Sequence, residues 1–315
     1  MIVTVTMNPA IDKTVDIEHL ERGGLNRITH VELDAGGKGI NVSKTIAQLG
    51  GKSIATGFIA GNSGKIIENV MKEWGIENDF ITISGETRTN TKVFETSGGL
   101  TELNEPGPVA SMDDVEALLQ KLEGYAGENT LFVLAGSIPR GVEKDIYYKI
   151  INLVHEKGSK VLLDADGELF TRALDARPDI IKPNRVELEQ YAGIDYVASE
   201  QDLLEIAKKM MGKGIDTIAV SMGKSGALFL KEGYQVKCPG LKVKTHSTVG
   251  AGDAMVAALS YSWDKKLTNE ETVKMCMAVS AGAVTTIGTK PPARNVVDEL
   301  LNQVKIEEIE EIEAI

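Results

Sequence analysis

Short apolar runs rich in β-branched residues alternate with runs of helical period along most of this sequence, and that rhythm admits few folds. SIATGFIA precedes GKIIENVMKEWG, TLFVLAGSIP precedes KDIYYKIINLVHEKG, and KVLLDADG precedes ELFTRALDA. DIIKPN leads into RVELEQYAG, and DTIAVSMG follows the helical run QDLLEIAKKMMGKG. A strand followed by a helix, repeated, brings each new strand back parallel to the last. The pattern therefore predicts an α/β fold, a mostly parallel sheet with helices on both faces. In such sheets ligands bind beyond the carboxyl ends of the strands. The unusual residues fall there: Gly136 and Ser137 after TLFVLA, Asp164 in KVLLDA, Asn184 after DIIKP, and Ser221 and Gly223 after TIAV.

Two stretches break the rhythm. Residues of about 12–35 and 88–107 have no long helical period and show short β-like runs instead, such as THVELDA and TNTKVFET. Long insertions at the open end of a sheet are often functional, and the expectation is a small β appendage, a lid, on a single domain spanning 1–315. No solenoid repeat and no proline-rich linker divides the chain. The tail KIEEIEEIEAI reads as either a last edge strand or an amphipathic end helix, with its acidity a solvated face.

Composition narrows the function. A chain of 315 residues, 42% hydrophobic, buries a large core and is not a disordered protein. A net charge of −12 argues against a nucleic acid or an anionic membrane as a general partner, so basic residues serving an anionic ligand must be concentrated locally. Cys238 and Cys276 stand far apart, which suits a reducing compartment, and the four scattered histidines offer no zinc spacing. MIVTVTMNPAID alternates like a strand without a basic leader, and no apolar run reaches the roughly 18 residues of a membrane span. A cytoplasmic enzyme is the expectation.

Several motifs offer chemistry, each with an ordinary structural alternative. In STVGAGDAMVAAL, Asp253 either caps a helix or serves as a base beside the Gly250, Ala251 and Gly252 amides, which would hold an anion. In AGGKGINVSKTIAQLG, Gly36, Gly37 and Gly39 allow a close backbone approach, Asn41 sits at the mouth of a helix, and Lys38 adds charge. The dinucleotide pattern GxGxxG fails there at Val42, and a Walker loop ending at Gly223-Lys224-Ser225 fails at Ile218. In KPNRVELE, Asn184 and Glu187 are either magnesium ligands or a capping box. Asp12 follows the first strand and suits a pair of sugar hydroxyls. Arg88, Asn90 and Lys92 alternate onto one strand face, as a local basic patch or as the charges that protect a sheet edge.

GGKGIN, then an N-x-x-E, then GAGD near residue 250, in that order, make the chain resemble a ribokinase-like (pfkB-type) carbohydrate kinase from MNPAID to the helix before Gly288. The resemblance implies a three-layer α/β/α sandwich with a β lid that often forms a dimer interface, ATP and Mg²⁺ as cofactors, and a small-molecule substrate. It implies Asp253 as the catalytic base with Gly250, Ala251 and Gly252 as the anion hole, and Asn184 and Glu187 organising magnesium and the phosphates. Ser221, Gly223, Gly226, Thr248, Ser280 and Ala283 would line the ATP site. Asp12, Gly37, Lys38 and Asn41 would hold the sugar. MNPAID, TRTNTKV, TELN and LAGSIP are similar to the phosphosugar branch, nearest its 1-phosphofructokinases, with tagatose-6-phosphate kinases adjacent. That likeness adds Arg88, Asn90, Lys92, Asn104 and Ser137 to the substrate site. Asp166 stands where relatives carry a hydroxyl residue and is given no role. A sugar or nucleotide sensor without catalysis is the alternative of another class, and the broken glycine pattern counts against a nicotinamide oxidoreductase.

Overall fold

The computed structural model describes residues 1–309. β1 (Ile2–Thr6) lies within the main sheet, and the chain then leaves that sheet to form β2 (Ala10–Ile17) and β3 (His30–Gly36). α1 (Lys38–Gln48) returns it to β4 (Ile54–Ala60), and α2 (Gly61–Glu73) leads to the short β5 (Glu77–Asn78) and β6 (Ile81–Ile83). β7 (Arg88–Glu95) and β8 (Leu100–Asn104) leave the sheet again. Regular alternation follows: α3 (Met112–Tyr125), β9 (Leu131–Ala135), α4 (Ile146–His155), β10 (Lys160–Asp164), α5 (Gly167–Leu174) and β11 (Ile180–Ile181). α6 (Arg185–Ala192) and α7 (Glu200–Met211) precede β12 (Thr217–Ser221) and the hairpin β13 (Ala227–Lys231) and β14 (Tyr234–Cys238). α8 (Ala251–Lys265), α9 (Asn269–Ala283), α10 (Arg294–Leu301) and β15 (Glu307–Glu308) close the described chain.

The main sheet runs β15-β14-β13-β12-β11-β10-β9-β1-β4-β5, with β6 also on β4. Pairing is parallel from β5 to β12 and antiparallel from β12 to β15. Helices cover both faces, which explains why the strands read as continuous apolar runs. Val3, Val5, Phe132, Leu134, Val161 and Leu163 pack with α3 to α7, while Ile2, Leu131, Val133 and Leu162 pack with α1 and α8 to α10. Capping boxes start four of these helices, Ser111–Asp114 for α3, Asn184–Glu187 for α6, Ser199–Asp202 for α7 and Thr268–Glu271 for α9. Of the acidic tail, Glu307–Glu308 is an antiparallel edge strand on β14, and residues 310–315 lie outside the described residues.

The chain places β4 on one side of β1 and later β9 on the other, so strand order reverses at β1, and a crevice forms above the carboxyl ends there. Beside it stands a separate four-stranded sheet, β3-β2-β7-β8, drawn from the two stretches that lacked a helical period. Its register aligns Asp34, Asp12, Asn90 and Asn104 in one row. Alternation gives the opposite face Val31, Leu33, Val15, Val93 and Leu103. Among the described residues no helix is long and apolar enough to cross a membrane. Cys238 and Cys276 are free and buried, and burial pushes both thiols up, Cys238 to about 12, so neither is reactive.

Candidate active site

α8 begins at a left-handed turn. Its N-cap is Gly250 at φ 87°, a backbone value that glycine tolerates freely, and no side chain caps the helix. Asp253 is therefore not the cap. It is the third helical residue, 8% exposed, and its Oδ2 accepts a hydrogen bond from Asn41 Nδ2 at 2.8 Å. The amides of the first helical turn have no acceptors within the helix, so Ala251 and Gly252 sit at the positive end of the helix dipole. Burial, reinforced by the nearby charge of Asp164, pushes the Asp253 carboxyl up to about 6, against the opposing pull of Asn41, Lys38 and Lys182. A carboxylate at that value suits proton acceptance near neutral pH.

α1 forms the facing wall. A Cβ on its N-cap Gly37, at φ 108°, would lie 2.9 Å from Thr6 Cγ2 and 3.0 Å from Pro9 Cα, so only glycine fits this turn against the end of β1. A Cβ on Gly36 would fall 2.5 Å from Asp12 Oδ2, in the space that carboxylate occupies. Lys38 Nζ reaches Asp164 Oδ2 at 3.4 Å, and Lys182 Nζ reaches Asp164 Oδ1 at 3.3 Å. Both are ion-pair contacts without hydrogen-bond geometry, which leaves the two Asp164 oxygens short of hydrogen-bond donors. Asp164 is 2% and Lys182 4% exposed. Burial alone would raise the Asp164 carboxyl, but Lys182 and Lys38 outweigh it and hold Asp164 below the usual carboxylate range. Burial likewise pulls Lys38 down, yet Asp164, Asp253 and Glu187 more than compensate, and it stands above an ordinary lysine. A Cβ on Gly252 would sit 3.4 Å from Lys182 Nζ, so that ammonium lies against the first turn of α8.

A cavity of about 590 Å³ opens from this cluster. Asn184 and Glu187 line it at the start of α6, Ser221 at the end of β12, Gly223 and Gly226 in the turn that follows, and Thr248 just before the glycine turn. Ser280 lines it from α9, with a buried hydroxyl that has no partner. Ala283 is different: at 4% exposure it packs into the core, and the neighbouring Ala281 and Val284 face the cavity instead. Gly226 is demanded by the hairpin, since a Cβ there would lie 1.9 Å from the Cys238 carbonyl oxygen. Leu241, Val243, Met255 and Met277 add an apolar wall suited to a planar base.

The capping alternative for Asn184 and Glu187 is realised: Asn184 Oδ1 accepts from the Glu187 amide at 2.9 Å, and Glu187 Oε2 from the Asn184 amide at 2.8 Å. Burial pushes Glu187 up, with Lys182 and the Asn184 amide partly opposing. Among the described residues no three His, Cys, Asp or Glu side chains form a metal cage. Asn184 and the second Glu187 oxygen fit a magnesium ion that arrives with phosphate oxygens and its own waters, the usual state of bound Mg²⁺.

On the side of the small sheet, Asp12 Oδ2 accepts from Lys92 Nζ at 3.2 Å and Oδ1 from Asn90 Nδ2 at 3.5 Å, with Asp12 and Lys92 both buried. Arg88 Nη2 donates to the Asn8 carbonyl at 2.9 Å and to Ser137 Oγ at 3.4 Å, and its Nε is buried without an acceptor. Asn104 is exposed on β8 opposite Asn90. Lys290 pairs with Glu32 of β3, and Thr289 packs against Gly250, so the loop after α9 bridges the small sheet and the α8 turn.

Sequence reasoning named Asp164 only as a strand-end oddity and passed over Lys182. The available signal was a charge closing the apolar strand DIIK immediately before Pro183 and the capping Asn184.

The likeness to characterised proteins is extensive. The description "pfkB family carbohydrate kinase" matches residues 5–295. A 1-phosphofructokinase of Vibrio cholerae is 33% identical over 305 residues, covering 97% of this chain and 96% of the relative. A 1-phosphofructokinase of Bacillus subtilis is 35% identical over 308 residues, covering 97% and 99%. The crystal structure of phosphofructokinase-2 from Escherichia coli in complex with potassium superposes with a TM-score of 0.91 at 26% identity, covering 96% of this chain and 98% of that one. Likeness of this extent accounts for the glycine turns, the N-x-x-E helix start and Asp253 meeting on one cleft: the chain belongs to the pfkB family of carbohydrate kinases.

Proposed function

We propose that this chain transfers the terminal phosphoryl group of ATP to fructose 1-phosphate, yielding fructose 1,6-bisphosphate and ADP. The observation that carries this reading is Asp253, a buried carboxylate raised to about 6 at the open amide turn of α8. The free primary hydroxyl of the sugar lies against Asp253, which orients it and takes its proton as the oxygen attacks the γ-phosphorus. The bond from that phosphorus to the bridging oxygen breaks, and its electrons leave with ADP. The transition state is loose, with charge spread over the transferring oxygens. The α8 amides, Lys38 and Lys182 face that charge, and in a largely buried site such fixed donors act more strongly than they would in water. Asn184 and Glu187 would hold a magnesium ion accompanying ATP, and such an ion would neutralise phosphate charge there.

Arg88 and Lys92, with Asn90 between them on β7, bring donors and positive charge to the sugar end of the cleft, and they support an acceptor that already carries a phosphate. The curated relatives named 1-phosphofructokinase support fructose 1-phosphate as that acceptor. An ADP-release assay comparing fructose 1-phosphate, tagatose 6-phosphate and fructose 6-phosphate tests this. The highest kcat/KM is expected for fructose 1-phosphate, and a higher value for either other sugar reassigns the substrate. Arg88→Ala should raise the sugar KM roughly 10- to 100-fold, the worth of a charge-assisted hydrogen bond, with a smaller change in kcat. An unchanged KM would remove Arg88 from the phosphate site.

The outward face of the small sheet supports a homodimer. Val31 and Leu33 on β3 and Leu103 on β8 are 46%, 60% and 59% exposed there, apolar side chains along both edges of that face. Leu33→Asp combined with Leu103→Asp should yield monomers in sedimentation velocity, whereas dimers that persist would place the interface elsewhere. The unpaired, buried cysteines fit a reducing, cytoplasmic setting.

A further inference from the structure

A second cavity, of about 450 Å³, lies at the opposite end of the sheet from Asp253. Asn129, Ile180 and Thr217 mark its floor at the amino ends of β9, β11 and β12, and the last turns of α8 and the first turn of α9 form its roof. None of its wall residues belongs to the catalytic cleft. Its size falls within the range of small-molecule sites, about 300–1,000 Å³. The wall is largely apolar and aromatic, with Phe229, Tyr234, Leu259, Trp263, Leu267 and Val273.

Two hydroxyls in this wall are unmatched. Tyr234 Oη and Ser262 Oγ are buried and have no hydrogen-bond partner among the described residues, and Ser262 is only 1% exposed. Ser260, one turn-half away on the same helix, bonds back to the Val256 carbonyl at 2.8 Å, as helical serines commonly do. Buried polar groups without partners are costly in a wall this apolar, unless something is bound there. The charges also have a sign. Lys231, whose Nζ donates to Asn269 Oδ1 at 3.3 Å, and Lys266 stand at the exposed rim of the cavity, whereas the one acidic wall residue, Asp264, is already paired with Lys265 at 3.1 Å and lies 3.6 Å from the Met1 ammonium. The α9 residues in the wall, Asn269 and Thr272, belong to the amino end of that helix, where Glu270 is paired with Lys274 and Glu271 is engaged in the capping box. A local positive excess in a chain of net charge −12 points to an anion.

We propose that this cavity binds a small molecule with an apolar, ring-sized body and a single anionic group. The body stacks among Trp263, Tyr234 and Phe229, the anion meets Lys231 and Lys266, and the two hydroxyls gain partners. The site is independent of which sugar the kinase phosphorylates.

Trp263 reports on it directly. The chain has two tryptophans, so Trp74→Phe leaves Trp263 as the only one. In that background, full-length protein is titrated with 4-phenylbutyrate and with its uncharged amide, with and without saturating ADP. The expected result is a saturable change in tryptophan emission, at least tenfold tighter for the carboxylate than for the amide, and unchanged by ADP. Lys231→Met should bring the carboxylate to the level of the amide, and Thr272→Phe, which fills the cavity, should abolish both, with kcat within twofold of the parent in each case. No saturable change, equal affinity for acid and amide, full affinity in Lys231→Met, or displacement by ADP would each overturn the proposal.

Discussion

Asp253→Asn should fold as the parent does and lose on the order of 10²–10⁴ in turnover, the usual worth of a general base. Asparagine keeps the shape, and its side-chain oxygen can still accept the Asn41 amide, so binding of ATP and sugar should hold while the proton loses its acceptor. The pH dependence separates this from a positional effect. With the carboxyl at about 6, the parent's kcat/KM should fall below that pH, approaching tenfold per unit, and the variant should lack this limb. Stability should move the other way. A carboxyl raised from 3.8 to about 6 binds its proton more tightly folded than unfolded. Its stabilising contribution is therefore fully present below about pH 4 and is lost as pH rises through 6. At pH 7.5 the buried charge weighs against the fold, and asparagine removes it, so the variant's Tm should equal or exceed the parent's. Turnover near the parental level, or an unchanged acid limb, would dismiss Asp253 as the base.

How much of this was legible depended on range. Strand–helix alternation survives in the sequence because strands such as LFVLA and KVLLD are covered on both faces. The β13–β14 hairpin was not distinguished, since an apolar strand reads alike in either direction. The small sheet showed its period of two, but not its pairing: β2 lies parallel to β7, more than 70 residues later, and only that register sets Asp12 beside Asn90. Turns that need a particular backbone announce themselves, so Gly37 and Gly250 were readable. Helix phase is harder to judge, and on α9 it turns Ala283 into the core while Ala281 and the adjoining Val284 line the cavity. What the sequence could not display is long-range electrostatics. The Asn41–Asp253 bond spans 212 residues, and Asp164 gains its meaning only when Lys38 and Lys182 arrive from other elements.

Asp164→Asn should expose that hidden dependence. It strips the ion-pair partner from Lys182, an ammonium only 4% exposed that keeps just the charges of Asp253 and Glu187, and breaking a buried pair typically costs about 3–5 kcal/mol. A large drop in denaturation midpoint is expected. Lys38, a third exposed at its side chain, can turn to water and contributes less to this loss. Adding Lys182→Met removes the stranded charge, so the double variant should regain most of the lost stability. Its turnover tells whether Lys182 only neutralises Asp164 or also faces the phosphoryl group, as its place against Gly252 indicates. If it faces the phosphoryl group, the refolded double variant should remain about 10²–10³ below the parent, the effect of losing one preorganised donor to transition-state charge. Parental turnover in the double variant would confine Lys182 to a structural part, and a parental midpoint in Asp164→Asn would mean that solvent already reaches the pair.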